Sequence, residues 1–359
     1  MAHLGNNFTP YLIGGLMDQL GFTPLQMGVW SMVELLAYAV TMLLIAPHLR
    51  HFSARHMALM AGLIMGSAQF SSSLFHTFLP LLALRVACGL GFGLANTSLN
   101  LAAAQTNNPA RALSFGLAIQ TALYTLINLG LPIAGKRYGT SGMFDILAGL
   151  AILFAMVANS FLPNRSNDFL KHSCVRPQPL TKNGWKVLLA ISVFSFGSLA
   201  IWPFIERAAH EIGVSAVRYG QYQSVATLAC VASNTIFAAL AGRLSLRWTL
   251  LIALSVCGTA CAALTLVSTH LSFAIALIAF NVSWLIAYPL ILSIAYKIDA
   301  DGRLSVLCSS AWILNMAIGS VVTGTIAQWL GSYVLIGPLG LVGCLTALRM
   351  LWPLSSEVH

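Results

Sequence analysis

Long uninterrupted apolar runs occupy most of this chain, and they restrict its fold more than any other feature. Each run is close to the ~20 residues that a helix needs to cross a bilayer, and about twice the roughly ten residues of a membrane β-barrel strand. The runs lie at residues 2–20, 27–47, 58–76, 79–104, 112–135, 141–162, 185–206, 217–241, 246–268, 270–296, 303–328 and 332–353. They predict an all-α integral membrane protein with twelve transmembrane helices.

The composition excludes a water-soluble fold. Only 8% of the 359 residues are charged, whereas a soluble domain carries about 25%, so the surface must face lipid. Soluble enzymes and nucleic-acid binders are therefore excluded. The run at 2–20 lacks the basic start and the small-residue cleavage site of a signal peptide, so we expect it to be the first span.

The distribution of positive charge predicts the orientation of the helices. An even number of spans places both termini on one side of the membrane. If that side is the cytosol, thirteen Lys and Arg residues lie in inner connections or the tail and four in outer connections, the asymmetry typical of membrane proteins. We expect a multi-pass protein of the bacterial cell inner membrane with both termini cytosolic.

The longest connection divides the chain into two sets of six helices. It is basic and contains several prolines and asparagines, which interrupt helices. We predict an N-terminal six-helix half at 1–162, a cytosolic basic linker at 163–184, and a C-terminal six-helix half with a short tail at 185–359.

An internal repeat relates the two halves. Four pairs of residues at helix ends share an offset of 192: Gly21 and Gly213, Gly28 and Gly220, Arg111 and Arg303, Gly139 and Gly331. A shared offset predicts a duplicated unit, and an even number of spans in each unit makes the two copies parallel. In transporters built this way the substrate site lies between the halves near the membrane midplane. The offset also places the start of the first helix before Met1, so we expect the natural chain to begin upstream, unless the first helix only just spans.

The fourth predicted span resembles that of a known family. Its sequence Arg85-Val86-Ala87-Cys88-Gly89-Leu90-Gly91-Phe92-Gly93, together with the six-plus-six arrangement and the basic linker, is similar to the major facilitator superfamily. In that superfamily the fourth helix often carries an Arg followed by spaced glycines, and the Arg is implicated in proton coupling. The resemblance implies secondary active transport of a small solute by alternating access, without catalysis.

Two departures narrow what the resemblance implies. The family's loop between the second and third helices carries an Asp, but Arg50 and Gly242 occupy the matching positions of the two halves. We therefore do not expect the conformational latch that is attributed to this Asp in the family. The fifth-helix Gly-Pro-x-x-Gly-Gly run of drug/proton antiporters corresponds here only to the segment 130–135. This favours uptake, and proton-antiport efflux of a drug or metabolite is the alternative.

Glu34 and Arg85 are the candidate residues for proton coupling. An ionisable side chain at the centre of a span is disfavoured by about 2.5–3.5 kcal/mol or more, and only these two lie well inside the predicted spans. Their depths match within about 1.5 Å by helix rise, so they can pair. The alternative is a structural ion pair. The acids near predicted outer helix ends are expected to be surface charges or caps: Asp18, Asp145, Glu206 and Glu211.

Amide and aromatic side chains share faces of the fifth, tenth and eleventh spans, at spacings of three or four residues. Interhelical hydrogen bonding alone is one explanation, and a substrate cavity is the other. The predicted substrate-binding residues are Gln120, Asn128, Asn281, Trp284, Tyr288, Trp312 and Asn315. Such a set suits a small organic anion, an aromatic acid or a polar neutral metabolite.

Other chemistry is not indicated. The histidines are scattered, whereas a metal site needs at least three converging ligands, and the seven cysteines form no disulfide framework. We expect no metal and no cofactor, and as partners a small-molecule substrate, protons and membrane lipid, with no nucleic acid and a monomeric state. A membrane-embedded enzyme, a channel and a non-transporting receptor are the less favoured alternatives.

Overall fold

The structure is a computed structural model that describes residues 4–45, 52–104, 109–162, 180–240, 244–299 and 303–355. Within these ranges the chain is helical, with no strand. The helices are α1 (Leu4–Leu20), α2 (Pro24–Ile45), α3 (Ala54–Ser72), α4 (Phe78–Ala104), α5 (Pro109–Phe161), α6 (Lys182–Leu199), α7 (Ile205–Glu211), α8 (Ala216–Leu240), α9 (Leu246–Leu266), α10 (His270–Ile298), α11 (Arg303–Leu330) and α12 (Ile336–Leu351). The predicted all-α fold is confirmed.

The described residues contain seven helical stretches that are long and apolar enough to cross a membrane. They are Pro24–Ile45, Phe78–Ala102, Ile119–Phe161, Lys182–Glu211, Leu246–Leu266, His270–Ile298 and Leu307–Leu330. Each overlaps one or two of the runs that the sequence predicts as spans. The protein is therefore an integral, multi-pass membrane protein.

α5 contains two helical parts that meet at a kink. The sequence predicts two spans, 112–135 and 141–162, and between them Gly139 has a non-helical backbone (φ 71°, ψ −169°). Glycine adopts this conformation readily because it has no Cβ. The apolar part, Ile119–Phe161, has 43 residues, roughly 65 Å at 1.5 Å per residue, enough for two crossings.

The segment predicted as one span at 185–206 is also interrupted. α6 begins earlier, because the Thr181 side chain accepts a hydrogen bond from the Gly184 amide at 3.1 Å, and it ends at Leu199. A 3₁₀ turn, Trp202–Phe204, then leads into α7. Pro203 has no amide hydrogen to donate and so cannot continue an α-helix here.

The contacts divide the chain into two compact units. The first unit comprises Met1–Leu123 and Gly130–Pro177, and the second comprises Tyr124–Leu129 and Gln178–His359. Most of the predicted linker, residues 163–179, lies outside the described residues, as do Arg50 and Gly242 of the loop comparison. The predicted domain boundaries stay a prediction.

Four glycines have a positive φ, and they form two pairs at the predicted offset. The angles are 66° at Gly21 and 80° at Gly213, and 71° at Gly139 and 65° at Gly331. Both pairs are 192 residues apart, and no other described residue has a positive φ. L-residues are disfavoured in this conformation by about 1–2 kcal/mol, so glycine is needed at equivalent turns of both units.

A polar tie recurs at the same offset. In the first unit the Gln19 carbonyl oxygen accepts hydrogen bonds from the backbone amide and the hydroxyl of Thr140, both at 2.8 Å. In the second unit Glu211 accepts from the Tyr333 amide at 3.3 Å and from the Ser332 hydroxyl at 3.5 Å. Residues 19 and 211, like 140 and 332, are 192 apart. Each unit therefore has a polar tie between residues at equivalent positions of the repeat.

A basic residue makes a second recurring tie. Arg55 donates from Nε to the Asn159 side chain at 3.1 Å, near the end of α5. Its partner at the offset of 192, Arg247, places its guanidinium 4.0 Å from the centre of the Trp352 ring, just after α12. Each contact lies within its own unit. Together with the glycines, the two contacts support the predicted repeat.

Candidate functional site

Glu34 of α2 and Arg85 of α4 form an ion pair inside the first unit. The Arg85 Nε lies 2.5 Å from the Glu34 Oε2, and each residue is only 2% exposed. The matching depths of the two residues allowed such a pair, and the structure contains it. Its role in coupling stays a prediction.

Side chains from two helices hold the Arg85 guanidinium. Besides the carboxylate on α2, its Nη2 donates a 3.0 Å hydrogen bond to the Thr9 hydroxyl on α1. Its Cζ lies 3.8 Å from the centre of the Trp30 ring, one turn before Glu34 on α2. A cation over an indole face is attracted by the ring quadrupole. The charge is thus held by a carboxylate, a ring and a hydroxyl.

Spaced glycines on α4 bring the ion pair together. A Cβ on Gly89 would collide with the carbonyl oxygen of Glu34, and a Cβ on Gly93 would lie 2.8 Å from that of Tyr38. Gly91, on another face of the helix, packs against α3. These glycines therefore allow close helix packing, and the close approach of α2 to α4 places the guanidinium within reach of the carboxylate.

The second unit contains a buried ion pair that the sequence analysis missed. Glu206 is 2% exposed, and its Oε2 accepts a 3.0 Å hydrogen bond from the Nε of Arg207, which is also buried. The expectation that Glu206 is a surface charge or cap was wrong. The helix break places this residue in the buried first turn of α7 rather than at an exposed helix end. Asp18, Asp145 and Glu211 are exposed, as expected.

Three predicted binding residues form an aromatic cluster in the second unit, which we define as Trp284 and Tyr288 of α10 with Trp312 of α11. The Trp284 and Tyr288 rings are nearly parallel, at 9° and 5.4 Å between centroids. Trp312 lies 6.0 Å from Trp284 and 5.7 Å from Tyr288, tilted by 41° and 48°. Phe194 of α6 stacks on Trp284 at 6.2 Å.

An amide pair lies one turn from this cluster on α10. The Asn281 side chain donates to the Leu277 carbonyl at 2.8 Å and accepts a 3.3 Å hydrogen bond from Gln223 of α8. Gln223 was not predicted as a binding residue. A glutamine within an apolar run is itself a signal that the comparison of helix faces overlooked.

The other predicted binding residues have separate surroundings. Asn128 is buried, and its amide donates to the Thr227 hydroxyl at 3.4 Å within the second unit. Asn315 bonds to the Ala311 carbonyl of its own helix at 2.8 Å, and Gln120 is half-buried on α5. The structure therefore brings together the aromatic members of the set, and the common cavity stays a prediction.

Comparison with known proteins decides the family. The sequence profile of the Major Facilitator Superfamily matches residues 1–298. The chain belongs to this superfamily. Its fold is similar to that of the nucleoside transporter NupG, in the crystal structure of a point mutant, with a TM-score of 0.75 over 99% of this chain and 96% of that one, at 11% sequence identity. No curated protein sequence gives a significant match.

Membership in the major facilitator superfamily supports secondary transport as the class of activity, and points to transport rather than catalysis. The fourth helix, with Arg85 followed by three spaced glycines, carries the superfamily pattern that the sequence analysis identified. The described residues contain no group of three or more His, Cys, Asp or Glu side chains arranged to hold a metal ion.

Proposed function

We propose that this protein is a secondary active transporter that takes up a small organic solute by alternating access, in symport with protons. The observation that carries the proposal is the Glu34–Arg85 ion pair, buried among apolar helices of a superfamily member. Ionisable groups at membrane depth are expensive and are functional candidates by default.

The pair offers a simple route to coupling. Arg85 stays charged at every physiological pH, so it needs an acceptor at all times. A solute acceptor that draws the guanidinium away leaves Glu34 without a counter-charge, and a carboxyl in apolar surroundings is then better accommodated in its neutral, protonated form. Solute and proton would each raise the affinity for the other by the same factor, which is symport.

The solute would be bound by the amide and aromatic side chains identified above. These are Gln120, Asn128, Asn281, Trp284, Tyr288, Trp312 and Asn315. Organic anions, aromatic acids and polar neutral metabolites are the solute classes to test. Nucleosides belong in the panel because the protein of similar fold is a nucleoside transporter.

We further propose twelve spans arranged as two parallel six-helix repeats, with α5 crossing twice around Gly139 and α6 with α7 crossing once. The repeated glycines and ties at the offset of 192 support this arrangement. The protein would act as a monomer in the bacterial inner membrane with both termini cytosolic, and residues 163–184 would form the cytosolic linker.

Uptake into proteoliposomes tests the proposal. Purified protein is reconstituted, and labelled solutes are offered with and without an imposed pH gradient. Symport predicts that an acidic exterior drives accumulation above equilibrium and that a protonophore abolishes it. Accumulation driven by an acidic interior would instead show the antiport of an exporter.

Glu34→Gln tests the coupling residue. Proton-driven accumulation should be lost, while exchange of solute down its own gradient remains, because the amide cannot carry the proton. Arg85→Ala should impair solute binding itself. Asp145→Asn, which removes an exposed carboxylate, is the matched control and should behave as the parent. Accumulation against a gradient that survives in Glu34→Gln would place the coupling elsewhere.

A further inference from the structure

We infer that the aromatic cluster of Trp284, Tyr288 and Trp312 binds the planar ring of a heteroaromatic solute. This inference rests on the proposed transport function and adds the chemical class of the solute.

Rings from two helices form the proposed binding surface. Trp284 and Tyr288 stack along α10, and the Trp312 ring of α11 is inclined to both by 41° and 48°. Phe194 stacks on Trp284 and is itself fully buried, whereas Tyr288 and Trp312 are only partly buried. The cluster is therefore backed on one side, while Tyr288 and Trp312 are the partly exposed members on which a planar ring would stack.

The orientation of the Tyr288 ring is set in advance. Its hydroxyl donates a 3.2 Å hydrogen bond to the Ser309 hydroxyl, and Ser309 donates in turn to the Ser305 carbonyl at 3.0 Å. The α10 ring is thus tied to the backbone of α11. A surface fixed before binding loses less conformational entropy when a ligand arrives.

Unpaired polar atoms of the cluster and of the neighbouring amide pair indicate which polar groups the solute ring must carry. The indole Nε1 of Trp284 and that of Trp312 are buried, and none of the described residues accepts a hydrogen bond from either. The Gln223 Oε1 is likewise buried without a donor, although its Nε2 is held by Asn281.

Leaving a buried polar group unpaired is disfavoured by about 1–3 kcal/mol, so a ligand that pairs these atoms gains affinity. The two indole N–H groups need hydrogen-bond acceptors, and the amide oxygen of Gln223 needs a hydrogen-bond donor. A benzene ring supplies neither, and a simple sugar has no flat face. A heteroaromatic ring with ring or exocyclic nitrogen and oxygen atoms supplies both.

Binding to the purified full-length protein tests the inference. Uridine, adenosine and nicotinate serve as heteroaromatic probes, with ribose and cyclohexanecarboxylate as non-aromatic probes, and affinity is measured by calorimetric titration. At least one heteroaromatic probe should bind while the non-aromatic probes do not. Failure of all three heteroaromatic probes to bind would overturn the inference.

Variants of the cluster locate the binding. Trp312→Leu should weaken binding about tenfold or more, the scale of one lost base stack. Trp312→Phe, which keeps a ring and loses the N–H, should fall between Trp312→Leu and the parent. Trp329→Leu replaces an exposed tryptophan of the same helix and should leave affinity unchanged. Equal affinity in Trp312→Leu and the parent would overturn the inference.

Transport separates this inference from the proposed function. Binding of a heteroaromatic probe that depends on Trp312, without transport of any solute, would contradict the transporter proposal and support the ring site. Transport of ribose or cyclohexanecarboxylate alone, unaffected by Trp312→Leu, would support the transporter proposal and contradict the ring site. If Trp312→Leu does not fold, Trp312→Phe remains the test, because the loss of the indole N–H should still weaken binding relative to the parent.

Discussion

Arg85 shows how a single residue can be buried at membrane depth and still carry its charge. Its guanidinium has three partners, the Glu34 carboxylate, the Trp30 ring and the Thr9 hydroxyl, at 2.5, 3.8 and 3.0 Å. Each partner replaces part of the lost hydration. The buried charge is therefore stabilised only while these side chains stay in place. The proposed movement of Arg85 toward a solute would break these contacts.

Removing the Arg85 guanidinium should lower the stability of the protein, because Glu34 and Arg85 stabilise each other's charge. Arg85→Ala leaves the Glu34 carboxylate buried without its counter-charge, and breaking a buried pair in this way costs about 3–5 kcal/mol. We expect a matching fall in the free energy of unfolding, measured by denaturation in detergent. The double variant Glu34→Gln/Arg85→Ala should recover most of the loss. Additive losses would show that the two side chains do not stabilise each other.

At the scale of helices, the distance between α2 and α4 depends on glycine. Gly89 lies where α4 meets the backbone of α2, and any side chain there must push the helices apart. Gly149 on α5 is a contrasting case, because a Cβ added there would meet no atom within 4 Å. Alanine substitutions at the two positions therefore separate the effect of helix–helix packing from the effect of helix propensity.

Gly89→Ala should lower the free energy of unfolding by about 1–3 kcal/mol, the usual result of overpacking. It should also reduce proton-driven uptake, because the separation of Glu34 from Arg85 increases. Gly149→Ala should be neutral or stabilising by up to about 1 kcal/mol, the gain in helix propensity. Thermal unfolding and the proteoliposome assay measure both effects. Similar behaviour of the two variants would contradict the close packing.

At the scale of the whole molecule, the charges of the connections predict which side of the membrane each faces. Cys174 belongs to the predicted cytosolic linker, whereas His76 belongs to the connection between α3 and α4, predicted to be outside. Five of the other six cysteines are buried, so they should react slowly. Labelling with a membrane-impermeant maleimide can therefore read the topology.

Intact cells should leave Cys174 unlabelled, and inside-out vesicles should label it. In a Cys174→Ser background, His76→Cys should show the opposite pattern. The Cys174→Ser protein by itself measures the background from the remaining thiols. Labelling of Cys174 from outside the cell would reverse the proposed orientation and place both termini outside.

Several properties of this protein follow from the sequence alone because they depend on local composition. A run of about 20 apolar residues is helical in a bilayer, since every backbone amide must be paired within its own segment. Two of the glycine pairs found at the offset of 192 have a positive φ in both units. Two charges in apolar runs at equal depth marked Glu34 and Arg85 as residues that could pair, and the structure contains that pair.

Tertiary structure alone decided features that depend on how helices end and which helices meet. The polar residues 136–138 suggested a loop, yet α5 continues through them to Gly139, because long basic side chains can extend away from apolar surroundings. The interruption after α6 buries Glu206, and periodicity does not encode such a break. The ring contacts of Trp312 with α10 depend on which helices are neighbours. Contacts between segments far apart in the chain are set by packing of the whole unit, so no local pattern predicts them.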